Sequence, residues 1–178
     1  MYSKVISLSV AAVLLGAGSS EAQQTAPSLT TATYDAWTVR CAAVSQGEDA
    51  RSICELVQAA RLRGSGQTVL ETAIGRLNQA DPFKVVFKVP KSVWLRKPVV
   101  LLLNEGVETE FSLNASYMRC NAQACIADVE IDKHMLAQVI GASNAAVTFT
   151  DIAQKPIRIP LTMRGLDAAF SATFTSGE

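Results

Sequence analysis

The chain has 178 residues, 49% of them hydrophobic, and its 16 basic residues are matched by 16 acidic ones. That size suits one domain with a core of its own. The neutral balance gives no electrostatic case for a nucleic-acid or anionic-membrane partner, both of which favour basic surfaces.

Residues 1–22 read as a secretory signal peptide. Lys4 supplies the positive start, Val5 to Ala17 an apolar run, and Ser20-Glu21-Ala22 the small residues of a cleavage site before Gln23. The run falls short of the roughly 20 residues a membrane-spanning helix needs. No cysteine follows it for lipid anchoring, and no later segment is long and apolar enough to span. The mature chain is expected to be exported to the periplasm, or onward to the outer surface or medium, with no membrane span of its own. Residues 23–33 are polar, threonine-rich and uncharged and read as a flexible lead-in. Residues 34–178 read as a single domain without internal repeats.

From Trp37 onward the apolar pattern has mostly period two, as expected for strands with one buried face. Trp37, Val39 and Cys41 share a face, and Cys54 leads toward Leu56 beyond a Gly47-Glu48-Asp49 turn. After turns at Gly64-Ser65-Gly66 and Asn78 to Pro82, the residues Phe83, Val85, Phe87 and Val89 alternate with Lys84 and Lys88. Val99 to Leu103 is apolar on both faces and reads as a central strand covered on both sides. Beyond Asn104-Glu105-Gly106, Met118 and Cys120 share one face, and Cys125, Ala127, Val129 and Ile131 share the facing one. Asp132 caps a short helix over about 131–140, in which Met135, Leu136, Val139 and Ile140 recur at helical spacing before Gly141. Ala145, Val147 and Phe149 then mark one strand, and Ile157, Ile159, Leu161 and Met163 another. The tail is ambiguous: Leu166, Ala169, Phe170 and Thr173 fit a helix face, while Phe170, Ala172 and Phe174 alternate. The expected fold is mainly β, an antiparallel β-sandwich with one short helix and two disulfide-stapled hairpins.

Four cysteines allow three disulfide connectivities. Local pairing, Cys41 with Cys54 and Cys120 with Cys125, is the expected one, because each pair faces itself across a hairpin. A redox centre would need Cys-x-x-Cys at a helix start, a zinc site tighter ligand spacing, and a nucleophilic cysteine a nearby base. An exported chain favours disulfides, so no redox, cofactor or metal role is expected.

His134, the only histidine, lies in the first turn of the expected helix, and no Gly-x-Ser-x-Gly elbow accompanies it. It reads as a partly exposed helix residue. Glu105, Glu108 and Glu110 with Asp128, Glu130 and Asp132 could pair for acid–base work, but carboxylates beside turns and on outer strand faces are more often solvated surface. No catalytic residue is assigned. Lys91-Ser92-Val93-Trp94-Leu95-Arg96-Lys97 is different, placing a tryptophan among cations between two strands, a composition enriched at protein contacts. Trp94, Lys91, Arg96 and Lys97 are the candidate partner surface, against the plainer alternative of a tryptophan folded over the sheet end.

Several segments together resemble the invasion-associated locus B family of exported bacterial proteins. They are Ala36-Trp37-Thr38-Val39-Arg40-Cys41, Cys54-Glu55-Leu56-Val57-Gln58, Val89-Pro90, Cys120 to Cys125 followed by Ala127, and Ile159-Pro160-Leu161 with Gly165-Leu166-Asp167-Ala168-Ala169. The resemblance covers nearly the whole mature chain and departs from the family pattern at Trp94, where a small or aliphatic turn residue is expected. It implies a small periplasmic or surface β-sandwich with cysteine-stapled hairpins, no known enzymatic activity and no catalytic residues to carry over. The founding member is linked to pathogen entry into host cells. The function expected is that of a non-catalytic exported binding or envelope-associated protein, with a periplasmic enzyme or a chaperone-like envelope stress protein as alternatives.

Overall fold

The computed structural model describes residues 29–46 and 49–175. The signal-peptide segment, residues 23–28 of the lead-in and residues 47 and 48 of the Gly47-Glu48-Asp49 turn lie outside the described residues.

Five strands open the chain as an antiparallel meander: β1 (Leu29–Tyr34), β2 (Trp37–Gln46), β3 (Asp49–Arg61), β4 (Thr68–Gly75) and β5 (Phe83–Pro90). A second set follows as β6 (Val99–Leu103), β7 (Phe111–Cys120) and β8 (Ala124–Ile131), then helix α1 (Lys133–Ile140), β9 (Ala145–Thr150) and β10 (Pro156–Leu161). The strands are ordered β1-β2-β3-β4-β5-β8-β7-β6-β9-β10, every pair antiparallel, in one curled sheet. β7 turns the corner: its first half pairs with β6, up to Ala115 opposite Val99, and its second half pairs with β8 from Ser116 onward. The ladder is irregular between Tyr117 and Arg119, which bends the strand there.

The antiparallel fold class is as expected, and the curl lets the sheet oppose itself around one core. One inner row runs Val39, Leu56, Ile74, Val85 and Val129 across five strands. A shift of one residue reverses the face, so the adjacent row runs Arg40, Glu55, Gly75, Lys84 and Glu130 along the outside.

Four details depart from the expectations. Leu29–Tyr34 is a paired edge strand, where the sequence reads as a flexible lead-in over residues 29–33; three β-branched threonines and a tyrosine suit a strand even when it is exposed. Met118 points outward, 64% exposed, because the irregularity in β7 falls at that position. Val99, Leu101 and Leu103 are buried, but Val100 and Leu102 on the other face are only half-covered, so β6 is central without being doubly enclosed. The ambiguous tail is helical: α2 (Leu166–Phe170) continues into a π-helical turn, Ser171–Thr175, giving two helices where one was expected. Leu166 and Ala169 anchor it in the core at 0% exposure, while Phe170 and Phe174 pack against Phe83 at ring distances of 5.5 and 4.9 Å.

Helix α1 starts as its sequence requires. The Asp132 carboxylate accepts the Met135 backbone N–H at 2.8 Å, and Val139 buries its apolar face.

Candidate functional site

The strand order dictates where connecting segments cross the sheet. β5 and β6 are separated by β8 and β7, so residues 91–98 must traverse the sheet end. That crossing carries the Trp94 segment. It is tied down by a bridge from Val93 to Asp151 and by hydrogen bonds from the Trp94 N–H to the Thr150 carbonyl at 2.7 Å and from the Lys97 N–H to the Trp94 carbonyl at 3.2 Å. The Ile152 N–H reaches back to the Ser92 carbonyl at 3.3 Å. Val93 is buried and Trp94 half-buried, while Lys91, Leu95, Arg96 and Lys97 are exposed. The backbone is held and the side chains are presented.

Each disulfide closes a hairpin. Cys41 and Cys54 are register partners in β2 and β3, and Cys120 and Cys125 in β7 and β8, with Cα atoms 4.0 Å apart in both. Asn121 shapes the second turn, its side-chain oxygen accepting the N–H groups of Gln123 and Ala124 at 2.9 Å. No described cysteine is free. With the sulfurs bonded in pairs, these residues fix strand register.

A second feature needs five strands to assemble and has no local signature in the chain. The outer row of Arg40, Glu55, Lys84 and Glu130 is broken by Gly75, which contributes no side chain. The gap opens a groove of about 830 Å³ floored by Ala73 and Val86 and walled by Ile53 and Pro82. Arg40 contacts Glu55 at 2.9 Å and Glu71 at 3.3 Å, and Lys84 contacts Glu130 at 3.1 Å and Asp128 at 3.3 Å. Burial opposes the Arg40 charge, but Glu55 and Glu71 outweigh it and hold the guanidinium more firmly protonated than usual. Hydrogen bonds from Lys84 to Glu130 and Asp128 likewise raise its ammonium above the ordinary lysine range. These cations organise the sheet face through their carboxylates.

The remaining sequence candidates do not converge. His134 is exposed on α1. Glu105 pairs with Arg158, Glu110 accepts the Gly106 N–H at 2.8 Å, and Asp132 is the α1 cap. Asp128 and Glu130 flank Lys84 on the outer face. Each carboxylate with a described partner thus serves a turn, a cap or a charge pair. Among the described residues no group of three or more His, Cys, Asp or Glu side chains is placed to hold a metal ion. No helix among them is long and apolar enough to cross a membrane.

Residues 37–173 match the family described as Invasion associated locus B (IalB) protein. No curated protein matches the chain. Among solved structures, the crystal structure of invasion associated protein B from Bartonella henselae is similar, with a TM-score of 0.65 and 19% sequence identity over 80% of this chain and 93% of that one. At that identity the likeness is one of fold.

Proposed function

The chain belongs to the invasion associated locus B family, and from that premise we propose that it is an exported, non-catalytic binding protein of the cell envelope whose contact surface is the sheet end around Trp94. The observation that carries this reading is the geometry of the crossing: a backbone pinned to β9 and the residues after it, presenting a half-buried indole beside Lys91, Arg96 and Lys97. Aromatic anchors fixed before binding and rimmed by polar groups are what contact surfaces use, because little conformational entropy is lost on association. Export is supported by the signal-like residues 1–22 and by the two hairpin disulfides, which persist in oxidising compartments. The family is not a known enzyme family. Host-cell entry, linked to the founding member, is not carried over to this chain.

The test is capture of partners from envelope fractions by the mature chain and by Trp94→Ala. The expected result is loss of the specific partner in the variant. Retention of every partner by Trp94→Ala removes this surface from consideration.

A further inference from the structure

The neutral charge balance of the whole chain conceals a strong local imbalance. Residues 88–98, 118–125 and 151–156 meet at the sheet end: Pro90 is the register partner of Ala124, and Val93 bridges to Asp151. These segments contain Lys88, Lys91, Arg96, Lys97, Arg119 and Lys155, all exposed. Their single carboxylate is Asp151, which is engaged in accepting the Lys155 backbone N–H at 2.8 Å. None of the six cations takes part in a described ion pair. The Arg40 and Lys84 charges, by contrast, are each shared with two carboxylates. At the opposite end of β6 and β7 the connection is acidic, with Glu105, Glu108 and Glu110.

Apolar side chains stand among these cations. Leu95 is 57% exposed and Ile152 is 65% exposed, on two loops joined by the Ile152 N–H to Ser92 carbonyl bond. Trp94 lies half-buried beside them. Single exposed aliphatics are ordinary, but aliphatic tips and an indole ringed by unpaired cations form a different composition. A nucleic acid or soluble polyanion would use the charge and gain nothing from Leu95 and Ile152. An anionic bilayer uses both: cations meet headgroup phosphates while aliphatic and indole groups enter the headgroup–acyl boundary.

We propose that this end of the sheet is a peripheral docking surface for an anionic lipid bilayer. Leu95, Ile152 and Trp94 enter the interface, and Lys91, Arg96, Lys97 and Lys155 lie against its phosphates. The proposal rests on the reading of the Trp94 end as the contact surface and names the partner chemistry.

The experiment is co-sedimentation of the mature chain with vesicles of phosphatidylcholine alone and of phosphatidylcholine mixed with phosphatidylglycerol, over a salt series. Binding is expected to the anionic vesicles alone and to weaken with salt. Lys91→Ala, Arg96→Ala and Lys97→Ala combined should reduce partitioning by roughly a hundredfold, as expected for three cations near a charged surface. Leu95→Ser with Ile152→Ser should weaken binding while leaving its salt dependence unchanged. Equal binding to both vesicle types, or no loss in either variant, overturns the proposal. So does binding to dextran sulfate, a polyanion without acyl chains, that matches vesicle binding and ignores Leu95→Ser and Ile152→Ser. A Trp94-dependent protein partner without vesicle binding overturns the lipid proposal and leaves the contact surface standing. Thermal unfolding of each variant separates lost binding from lost fold.

Discussion

The Trp37 indole N–H donates to the Thr162 carbonyl at 2.9 Å, joining the second strand to the chain that leaves the last one. Gln58 on β3 grips the same residue twice, its amide N–H donating to the Thr162 carbonyl at 2.9 Å and its side-chain oxygen accepting the Thr162 N–H at 3.1 Å. A curled sheet with two distant edges needs such a clasp where its ends approach. Trp37 is fully buried, so its ring also fills the core at the seam. Trp37→Phe should cost about 1–2 kcal/mol, chiefly the hydrogen bond and a small void, whereas Trp37→Ala should cost about 3–5 kcal/mol. Urea unfolding distinguishes them; equal losses would mean that the ring contributes no more than its N–H.

Two buried hydroxyls have no described hydrogen-bond partner: Thr72 Oγ1 on β4 and Tyr117 Oη on β7. An unpaired buried polar group carries a desolvation cost that its removal recovers. Thr72→Val should therefore stabilise the fold by about 1 kcal/mol, since Thr72 is 0% exposed and valine keeps its shape. Tyr117→Phe should be neutral or stabilising, and its pH dependence is more diagnostic. Burial raises the Tyr117 phenol above its ordinary value of 10.0, so above the unfolded pKa the folded state holds the proton more tightly than the unfolded state. Stability then falls as pH rises from about 10 toward the folded value. Lys84, raised from 10.5 by its carboxylate partners, loses its contribution in the same direction as pH passes through its folded value. Chemical unfolding at alkaline pH should show a shallower decline for Tyr117→Phe than for the parent chain. Identical slopes would assign the alkaline loss to Lys84 and other groups.

What the chain revealed in advance follows physical range. The Phe83–Val89 alternation and the α1 cap at Asp132 are local patterns, and both were legible. Hairpin pairing of the cysteines was legible because partners 5 and 13 residues apart face each other once the strands are drawn. The tail was not, since Phe170 satisfies a helical and an alternating pattern alike; burial of Leu166 and Ala169 decides for the helix. The groove at Gly75 was illegible for a different reason: it takes shape only where residues of β3, β4 and β5 stand side by side, and Glu130 joins its lining only through the β5–β8 pairing. The same holds for Val93 and Asp151, which no local pattern brings together.

Gly165 and Gly64 provide a controlled comparison. Both have a left-handed backbone, φ 85° and φ 90°. A Cβ on Gly64 would meet nothing within 4 Å, whereas one on Gly165 would lie 2.0 Å from the Tyr34 carbonyl oxygen. Gly64→Ala should thus cost only the conformational penalty, about 1–2 kcal/mol. Gly165→Ala must also push α2 away from the β1–β2 turn, where Asp35 pairs with Arg164 at 3.2 Å, and should lose well over twice as much. Comparable melting temperatures for the two variants would show that the tail moves aside at little cost.

The two disulfides should differ in worth because they close loops of different length. Cys41–Cys54 spans a sequence separation of 13 and Cys120–Cys125 one of 5. In the chain-entropy account the longer closure contributes ~3 kcal/mol and the shorter ~2 kcal/mol, both through the unfolded state. Replacing Cys41 and Cys54 together by alanine should therefore destabilise more than replacing Cys120 and Cys125, if closure alone decides. Packing acts the other way, since Cys125 is fully buried beside its register partner Val89 while Cys41 is only partly so. Serine in place of alanine separates the contributions. At Cys125 a hydroxyl would be buried in an apolar setting and cost about 1–3 kcal/mol beyond the alanine variant, while at Cys41 and Cys54 the two replacements should agree closely. Urea unfolding of the four double variants measures both quantities, and a serine penalty as large for the Cys41–Cys54 pair as for the Cys120–Cys125 pair would contradict the inward placement of Cys125.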